Sequence, residues 1–429
     1  MQLFINNFDI PNLKKIIKKK KVKQVSSLYV STALNVLVGL GVSVVNTSLL
    51  GPQQFGDLRF LQSLFSFVVT FLTFGVFITG STLLARKRNE IRSHELSGSL
   101  LIFASLISII LILGLFIFSY FEESIFHNNL GRIIRIFSPL LFVYPFQLCL
   151  DRILTGNNRI YELSVFHFLP SALYLIGAIT FNYFIPLSLI LSLAIFLSVL
   201  AAVIVINMFV LKPKFKNIKK NLSIIWKENK TYGYHVYIGV LTAVGSGHLA
   251  GLLIAYYVDN TNVGFYSLAL TVTMPLTLLP NAVSTTYFKD FANIDSIPRK
   301  VTIITGILSI CSLLFFILVI DKVIIFAYSA EYSAVVPIAY LVSIGSVVHG
   351  FGDFFNRFLG ANGQGKAMRN GSIIVGISNL VGYFILIPYL GVMGAAIAKV
   401  ITSFVYLIVR YYPYQRIVKK KLTFCERRK

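Results

Sequence analysis

Charged and polar residues within apolar runs are the residues of this sequence that could bind a ligand. Arg59 opens such a stripe, whose members recur at steps of mostly three or four residues: Gln62, Ser63, Ser66, Thr70 and Thr73. This spacing places them on one helical face. A charge inside a membrane span is costly unless it faces water or a partner. We therefore expect a cavity-lining face, the alternative being helix packing through small polar residues.

A second, sparser stripe contains Lys399, Ser403, Tyr406 and Arg410. Lys399 lies about eight residues inside its apolar run, which is roughly 12 Å along a helix. That depth is too great for its ammonium group to reach the membrane surface easily. We expect Lys399 and Ser403 to face the cavity. The alternative is that Lys399 pairs with a buried carboxylate, either Asp353 or Asp151.

Weaker candidates are spread over other runs. Arg132 and Arg135 share a helical face at the end of one run, where headgroup anchoring and substrate binding are equally good interpretations. Asn35 belongs to a polar stripe in the first run. The candidates for ion coupling are Asp151, Asp353 and His248, although His248 lies in "GHLAG", whose G-x-x-x-G spacing first indicates close helix packing.

The elements that carry these residues are membrane helices. The chain has 429 residues, of which 56% are hydrophobic and 13% charged, whereas soluble domains are about half apolar and a quarter charged. Runs of about 20 apolar residues are long enough to cross a bilayer. We place twelve of them at 26–49, 58–84, 97–120, 132–153, 161–181, 186–210, 232–257, 263–288, 301–320, 333–356, 368–388 and 391–411.

The residues behind the net charge of +23 are unevenly placed along the chain. Nearly all of the lysines and arginines fall in alternate connections, which the positive-inside rule assigns to the cytoplasm. We expect cytoplasmic termini, an outside hairpin "GPQQFGD" and residence in a bacterial cytoplasmic membrane. The basic surplus then faces membrane lipids rather than nucleic acid. We exclude nucleic acid as a partner.

The chain repeats itself. "LDRILTGNNRIYE" (150–162) is similar to "FNRFLGANGQGKAM" (355–368), and "LLGPQQFGDLRFLQ" (49–62) is similar to "YYVDNTNVGFYSLA" (256–269), which aligns Gly56 with Gly264. This predicts an all-α fold of two six-helix lobes, related by a parallel pseudo-two-fold axis around a central cavity. The expected segments are a basic N-terminus (1–25), an N-lobe (26–210), a basic linker (211–231), a C-lobe (232–411) and a basic tail (412–429).

Catalytic and metal-binding patterns are missing from the sequence. The six histidines are scattered, and the three cysteines show no metal-ligand spacing. We therefore expect a transporter rather than an enzyme, with no catalytic residue, metal or cofactor. Trp226 lies in "NLSIIWKENK", which predicts a short amphipathic helix at the inner membrane surface.

The sequence resembles the Wzx-type polysaccharide flippases of the multidrug/oligosaccharidyl-lipid/polysaccharide exporter (MOP) superfamily. The resemblance is carried by residues 27–89, with an L-G-P-x-x-F-G turn between two helices, by "VGFYSLAL" (263–270) and by "IIFAYSAEYSAVVPIAYLVSIG" (324–345). It implies translocation of an undecaprenyl-diphosphate-linked oligosaccharide unit (an O-antigen or a similar lipid-linked glycan) from the inner to the outer leaflet. Arg59 and Lys399 would be the diphosphate ligands, although Ser267 stands where the repeat would place a second Arg59.

The same resemblance implies H⁺ or Na⁺ as the coupling ion and polysaccharide assembly proteins as further partners. Two other functions compete with a flippase. An ion-coupled drug or metabolite exporter of the same superfamily would place acids deep in its cavity, whereas Asp151, Asp353 and Asp259 lie towards span ends. A membrane polymerase or acyltransferase would need a large outside loop or a buried His/Arg pair, and neither is evident.

Overall fold

The computed structural model describes residues 20–86, 90–291, 294 and 296–426. Most of the predicted basic N-terminus (1–25) and the end of the basic tail lie outside the described residues. The first half of the chain forms α1 (Lys20–Leu72), α2 (Val76–Arg86), α3 (Glu90–Phe118), α4 (Glu122–Phe126), α5 (Gly131–Phe137), α6 (Val143–Gly156), α7 (Ile160–Phe184) and α8 (Leu189–Leu211).

A linker helix, α9 (Ile218–Glu228), joins this half to the next. It buries Asn221 and Ile225 and exposes Trp226 and Lys227, as the amphipathic pattern predicts. The second half forms α10 (Tyr234–Val240), α11 (Ser246–Tyr257), α12 (Asn260–Thr273), α13 (Pro275–Thr286), α14 (Phe288–Phe291), α15 (Arg299–Tyr328), α16 (Val335–Ala361) and α17 (Gly365–Glu426).

Two of these helices are broken by a single glycine. Gly51 has a φ of 69° inside α1, and Gly391 has a φ of 56° inside α17. Such positive φ values suit glycine because it has no Cβ. Pro52 follows Gly51 at the first position of a new helix, where its missing N–H costs nothing. We name the halves α1a (20–50), α1b (52–72), α17a (365–390) and α17b (392–426).

The predicted loop around "GPQQFGD" is therefore wrong in extent. The helix resumes at residue 52, so Arg59 lies two turns inside α1b rather than at its start. Gly56 is helical, and Gly51 alone makes the turn. The structure likewise extends α15 to Tyr328, so Lys322, which follows the predicted span 301–320, lies in a helix and not in the connection between two spans.

The predicted membrane spans are present. Among the described residues, nine helices are long and apolar enough to cross a membrane, and two of these contain the glycine breaks. Residues 229–257 form one further segment, which two π-helical turns interrupt (Asn229–Gly233 and Leu241–Gly245). Together they account for twelve spans in two lobes, as the sequence predicts.

The two lobes meet mainly at one end of the bundle. Within the N-lobe α1 packs on α7 and α6 packs on α2 and α3; within the C-lobe α16 packs on α13, α15 and α17. Between lobes, α1 packs on α11 and α12. We call the end that carries Gly51 and Asn260 the hairpin end, and the end that carries α9 the linker end.

Two glycines form the centre of this contact. Gly56 and Gly264, which the sequence repeat aligns, face each other across the lobes, and a Cβ on Gly264 would lie 3.0 Å from the Cα of Gly56. A Cβ on Gly56 would overlap the carbonyl oxygen of Asn260. Asn260 also donates a hydrogen bond to Asp57, at 2.7 Å. Asp57, whose position just before the apolar run 58–84 predicts an N-terminal helix cap, lies inside α1b and accepts this bond from the opposite lobe instead.

The lobes diverge towards the linker end. There, α13 and α14 pack on helices of their own lobe and, among the described residues, show no comparable packing on the N-lobe. The inter-lobe bonds at this end come from residues 228–237: Thr79 donates to Asn229 at 2.8 Å, Tyr237 donates to the Phe71 carbonyl, and Arg86 pairs with Glu228 at 2.7 Å. The structure is thus closed at the hairpin end.

The glycine contact predicts a stability difference. Gly56→Ala places a methyl group against the Asn260 backbone, and we expect it to destabilise the fold by about 1–3 kcal/mol. The melting temperature of the purified protein in detergent should fall by several degrees. Gly114→Ala is the matched control, because no atom lies within 4 Å of the new Cβ. Equal melting temperatures for the two variants would contradict the packing role of Gly56.

Candidate functional site

Arg59 lies in an aromatic and polar pocket close to the glycine contact. Its Nη1 donates to Gln62 Oε1 at 3.1 Å, and its guanidinium carbon lies 5.0 Å from the centre of the Phe55 ring. Tyr174 and Tyr328 are close enough to interact with it electrostatically. The fold therefore surrounds this cation with hydroxyls, an amide and a ring face.

The Tyr174 hydroxyl of this pocket belongs to a hydrogen-bonded group within the N-lobe. Tyr174 donates to Asn46 Oδ1 at 2.5 Å, and its hydroxyl lies 2.6 Å from Ser192 Oγ. All three residues are buried. They connect α1a, α7 and α8 behind Arg59, which fixes the wall against which the guanidinium lies.

Among the described residues, no carboxylate forms an ion pair with Arg59. The ion pairs of the described residues are Arg86–Glu228, Arg152–Asp151 and His167–Asp151. The Nε of Arg59 is buried and makes no hydrogen bond. A guanidinium without a counter-ion keeps its fork of N–H donors available for a carboxylate or phosphate.

The polar stripe of α1b divides into two parts. Along this helix Leu61, Leu64, Phe65 and Val69 are buried, while the polar positions stay partly exposed. Ser63 lies against Gly251 of α11, whose added Cβ would be 2.9 Å from the serine Oγ. Ser63 therefore packs between helices, which is the alternative interpretation. The partly exposed members that remain on the stripe are Gln62, Ser66, Thr70 and Thr73.

A second polar cluster lies between α16 and α17b. Tyr406 donates to Asp353 Oδ1 at 2.6 Å, and the ring of His349 stacks on Tyr406 with centroids 4.3 Å apart. Lys399 packs on Gly345, and it interacts electrostatically with both Asp353 and His349. The sequence predicted Lys399 and Asp353 as candidates, and the structure brings them into one cluster with His349, which sequence reasoning missed.

Arg410 has a structural role. It is 3% exposed, and it donates to the Met368 carbonyl at 2.7 Å and to Ser372 Oγ at 2.8 Å. Its guanidinium also lies 4.9 Å from the centre of the Tyr406 ring. Arg410 therefore ties α17b to α17a and supports the ring that contacts His349 and Asp353.

The remaining candidates are not gathered at one site. Arg135 lies 4.6 Å over the Tyr120 ring and Arg132 is exposed, both at the hairpin end. Asp151 accepts a hydrogen bond from His167 at 2.7 Å near the linker end, which makes it a partner within the N-lobe.

Three further candidates have weak or local contacts. Asn35 is half-buried on α1a, and His248 is half-buried on α11 beside the open position of Gly247. Ser403 donates to the Lys399 carbonyl at 2.8 Å, so its hydroxyl is engaged by its own helix. Within the described residues, no group of three or more His, Cys, Asp or Glu side chains could hold a metal ion.

The architecture and the site define a class. Twelve spans in two contacting lobes, with an arginine (Arg59) that pairs with no carboxylate of the described residues, form a multi-pass membrane protein with the fold of the MOP transporters. The chain belongs to the polysaccharide biosynthesis protein family, whose sequence model matches residues 22–288. The predicted resemblance to the flippases of this superfamily is thereby confirmed. No curated protein matches the chain in sequence.

Solved structures share the fold at low sequence identity. The chain is similar to the lipid II flippase MurJ in an inward closed conformation, with 18% identity, 92% of this chain and 90% of that chain covered, and a TM-score of 0.73. It is also similar to an inward-facing multidrug resistance MATE transporter, with 16% identity, coverage of 94% and 99%, and a TM-score of 0.68.

A third similar structure is that of a MOP superfamily transporter from Pyrococcus furiosus, which is described as having a binding pocket of reverse polarity. It has 14% identity, coverage of 93% of this chain and 95% of that chain, and a TM-score of 0.57. These proteins are transporters and flippases, not enzymes.

The buried guanidinium of Arg410 predicts a second stability difference. Arg410→Ala removes two hydrogen bonds and the contact with Tyr406, and we expect a loss of about 2–4 kcal/mol. The fraction of protein that remains monodisperse after heating in detergent measures this loss. Arg416→Ala, an exposed arginine farther along the same helix, is the matched control. If both variants withstand heating equally well, Arg410 is not a structural anchor.

Proposed function

We propose that this protein is a flippase for an undecaprenyl-diphosphate-linked oligosaccharide unit, which it moves from the inner to the outer leaflet of a bacterial cytoplasmic membrane. Membership of the polysaccharide biosynthesis family and the shared fold with a lipid II flippase support this proposal. The observation that carries it is the uncompensated Arg59 beside the contact between the lobes.

The physical problem of such a cargo is its charge. A diphosphate has to cross about 30 Å of hydrocarbon, where unpaired anions are not tolerated. Arg59 offers paired N–H donors to the phosphate oxygens, and Lys399 offers a mobile point charge. Along the helix that carries Arg59, neutral hydrogen-bonding groups are supplied by Gln62, Ser66 and Thr70. The tyrosines of the Arg59 pocket add ring faces suited to sugar stacking.

The arrangement of the lobes fits alternating access. With both termini on the cytoplasmic side, the hairpin end faces outwards and the linker end faces the cytoplasm. The contact at the hairpin end then closes the outer side, while the divergence of α13 and α14 from the N-lobe opens the inner side. In this state the cargo would enter from the cytoplasmic leaflet.

Export should depend on the two cations. Arg59→Ala and Lys399→Ala should abolish complementation of a flippase-deficient strain, because each removes a charge that stabilises the diphosphate inside the membrane. Arg59→Lys should retain part of the activity, since it keeps the charge and loses the fork. Surface polysaccharide and the accumulated lipid-linked oligosaccharide provide the two readouts.

Arg92→Ala is the matched control for this test, because Arg92 is an exposed arginine at the linker end. All variants are compared at equal amounts of protein in the membrane. Full export by both Arg59→Ala and Lys399→Ala would overturn the role assigned to the cations.

We assign ion coupling to the cluster of Asp353, His349 and Tyr406. Asp353 is only partly exposed and is bonded to a buried tyrosine, next to a lysine that does not form a close ion pair with it. A proton or Na⁺ bound at this carboxylate removes a negative charge from the surroundings of Lys399. Because Lys399 also binds the anionic cargo in this proposal, ion binding and cargo binding would be coupled. Asp151 is less suited to this role because Arg152 pairs with it and His167 already occupies one of its oxygens.

Asp353→Asn tests this assignment. In proteoliposomes that contain a lipid-linked oligosaccharide, we expect the rate of transport driven by an imposed ion gradient to be at least about tenfold lower in the variant. Asp321→Asn, at an exposed position of α15, should behave like the native protein. Separate H⁺ and Na⁺ gradients identify the ion. Undiminished gradient-driven transport by Asp353→Asn would remove Asp353 from the coupling site.

An ion-coupled exporter of cationic compounds is the second candidate, because Asp353 is an acid within the membrane region and the MATE transporter shares the fold. It predicts resistance to cationic dyes on expression, with loss of resistance in Asp353→Asn and no effect on lipid-linked oligosaccharides. The flippase predicts the reverse pattern.

A further inference from the structure

A glutamate outside the membrane-spanning helices is buried without a counter-ion among the described residues. Glu122 begins α4, in the connection between α3 and α5 at the hairpin end, and its side chain is fully buried. No donor reaches either carboxylate oxygen in hydrogen-bond geometry. The backbone N–H groups of Leu130 and Gly131 and the side-chain amide of Asn128 face it, and they offset only part of the cost of burying its charge. A buried carboxylate with so little support is rare unless it is protonated.

The surroundings of this carboxylate favour its neutral form. Burial raises its pKa from the ordinary 4.5 to about 7, and the nearby negative charge of Glu123 adds to the rise. His127 in the following turn is exposed, and so is Arg132 on α5. Arg135 lies over the ring of Tyr120 instead. In the described part of the chain none of these basic side chains forms an ion pair with the buried carboxylate.

The connection that contains Glu122 touches both lobes. Phe126, at the end of α4, packs edge-to-face on Phe60 of α1b with ring centroids 4.9 Å apart, and on Tyr256 of the C-lobe at 6.4 Å. Asn128 donates a long hydrogen bond, of 3.5 Å, to Asn260 of the C-lobe. We name these contacts the α4 bridge.

The position of this bridge depends on the Glu122 side chain. This side chain fills the space between the end of α3 and the start of α5, where an added Cβ on Gly131 would lie 3.8 Å from its Oε2. An ionised carboxylate has to regain water, and it can do so only if α4 moves out of this position. Phe126 and Asn128 belong to the same short segment, so they move with it.

We propose that Glu122 is a proton-controlled switch for the contact between the lobes at the hairpin end: protonated, it seats the α4 bridge and holds the lobes together, and ionised, it releases them. The interpretation of this release as opening towards the outside rests on the proposed function. The switch itself concerns only the distance between the lobes.

The direction of the pH effect follows from the raised pKa. The bridged state holds the proton more tightly than the released state, so its stability is complete below about pH 4.5 and is lost as the pH rises to about 7. Within that window the ratio of bridged to released molecules should fall by up to about tenfold per pH unit. Above about pH 7 it should change little.

Pulsed electron–electron double resonance on the full chain in nanodiscs tests the switch. Spin labels are placed at Tyr183→Cys of the N-lobe and Ala334→Cys of the C-lobe, both exposed at the hairpin end. The native cysteines are replaced by Cys149→Ala, Cys311→Ser and Cys425→Ser. Distance distributions recorded from pH 5 to pH 8.5 report the bridged and released populations.

We expect the protein with native Glu122 to shift from short to long distances between pH 5 and pH 7. Glu122→Gln should keep the short distance at every pH, because it imitates the protonated acid. Glu122→Leu, a second uncharged variant, should do the same. The controls are Glu123→Gln and His127→Gln, which should still show the transition.

Two results would overturn the proposal. One is a ratio that changes less than about twofold between pH 5 and pH 7 with native Glu122. The other is a transition that persists unchanged in Glu122→Gln and Glu122→Leu, which would assign it to another group. Because the distances require no cargo, these results leave the flippase function untouched. Loss of export complementation, in turn, leaves the switch untouched.

Discussion

The close approach of α1b and α12 is the constraint on which the rest of the structure depends. Two helices can touch backbone to backbone only where both lack side chains, and Gly56 and Gly264 provide that place on the pseudo-two-fold axis. This contact closes one end of the bundle, and it brings Asp57 to Asn260 and Phe126 to Tyr256. It also sets the position of Arg59, which follows Gly56 by less than one helical turn.

The sequence predicts most of the architecture, because hydrophobic length and charge asymmetry are properties of single segments. The spans, their pairing into two lobes and the alignment of Gly56 with Gly264 follow from runs and repeats that can be read locally. The turn at Gly51 is predicted too long, since polar residues such as Gln53 and Gln54 look like a loop. In the structure they lie exposed on a helix that restarts at Pro52.

The site is less accessible to sequence reasoning, because it depends on which helices become neighbours. Asp57 is predicted as a helix cap, yet its partner is more than 200 residues away on α12. Tyr174 and His349 carry no signal of their own, since a single tyrosine or histidine in an apolar run does not show which helix it will contact. Only the fold shows that one lies behind Arg59 and the other stacks on Tyr406. The alternative interpretation of Ser63 as a packing residue is decided by its contact with Gly251.

The lone arginine beside the axis has an electrostatic consequence. A faithful repeat would put a second guanidinium at position 267, one turn from Gly264, and the two cations would then face each other where the helices are closest. In a medium of low dielectric constant, such repulsion would push the lobes apart. Ser267 avoids this, so the positive charge at the contact between the lobes comes from α1b alone. The facing helix α12 can therefore approach α1b without electrostatic repulsion.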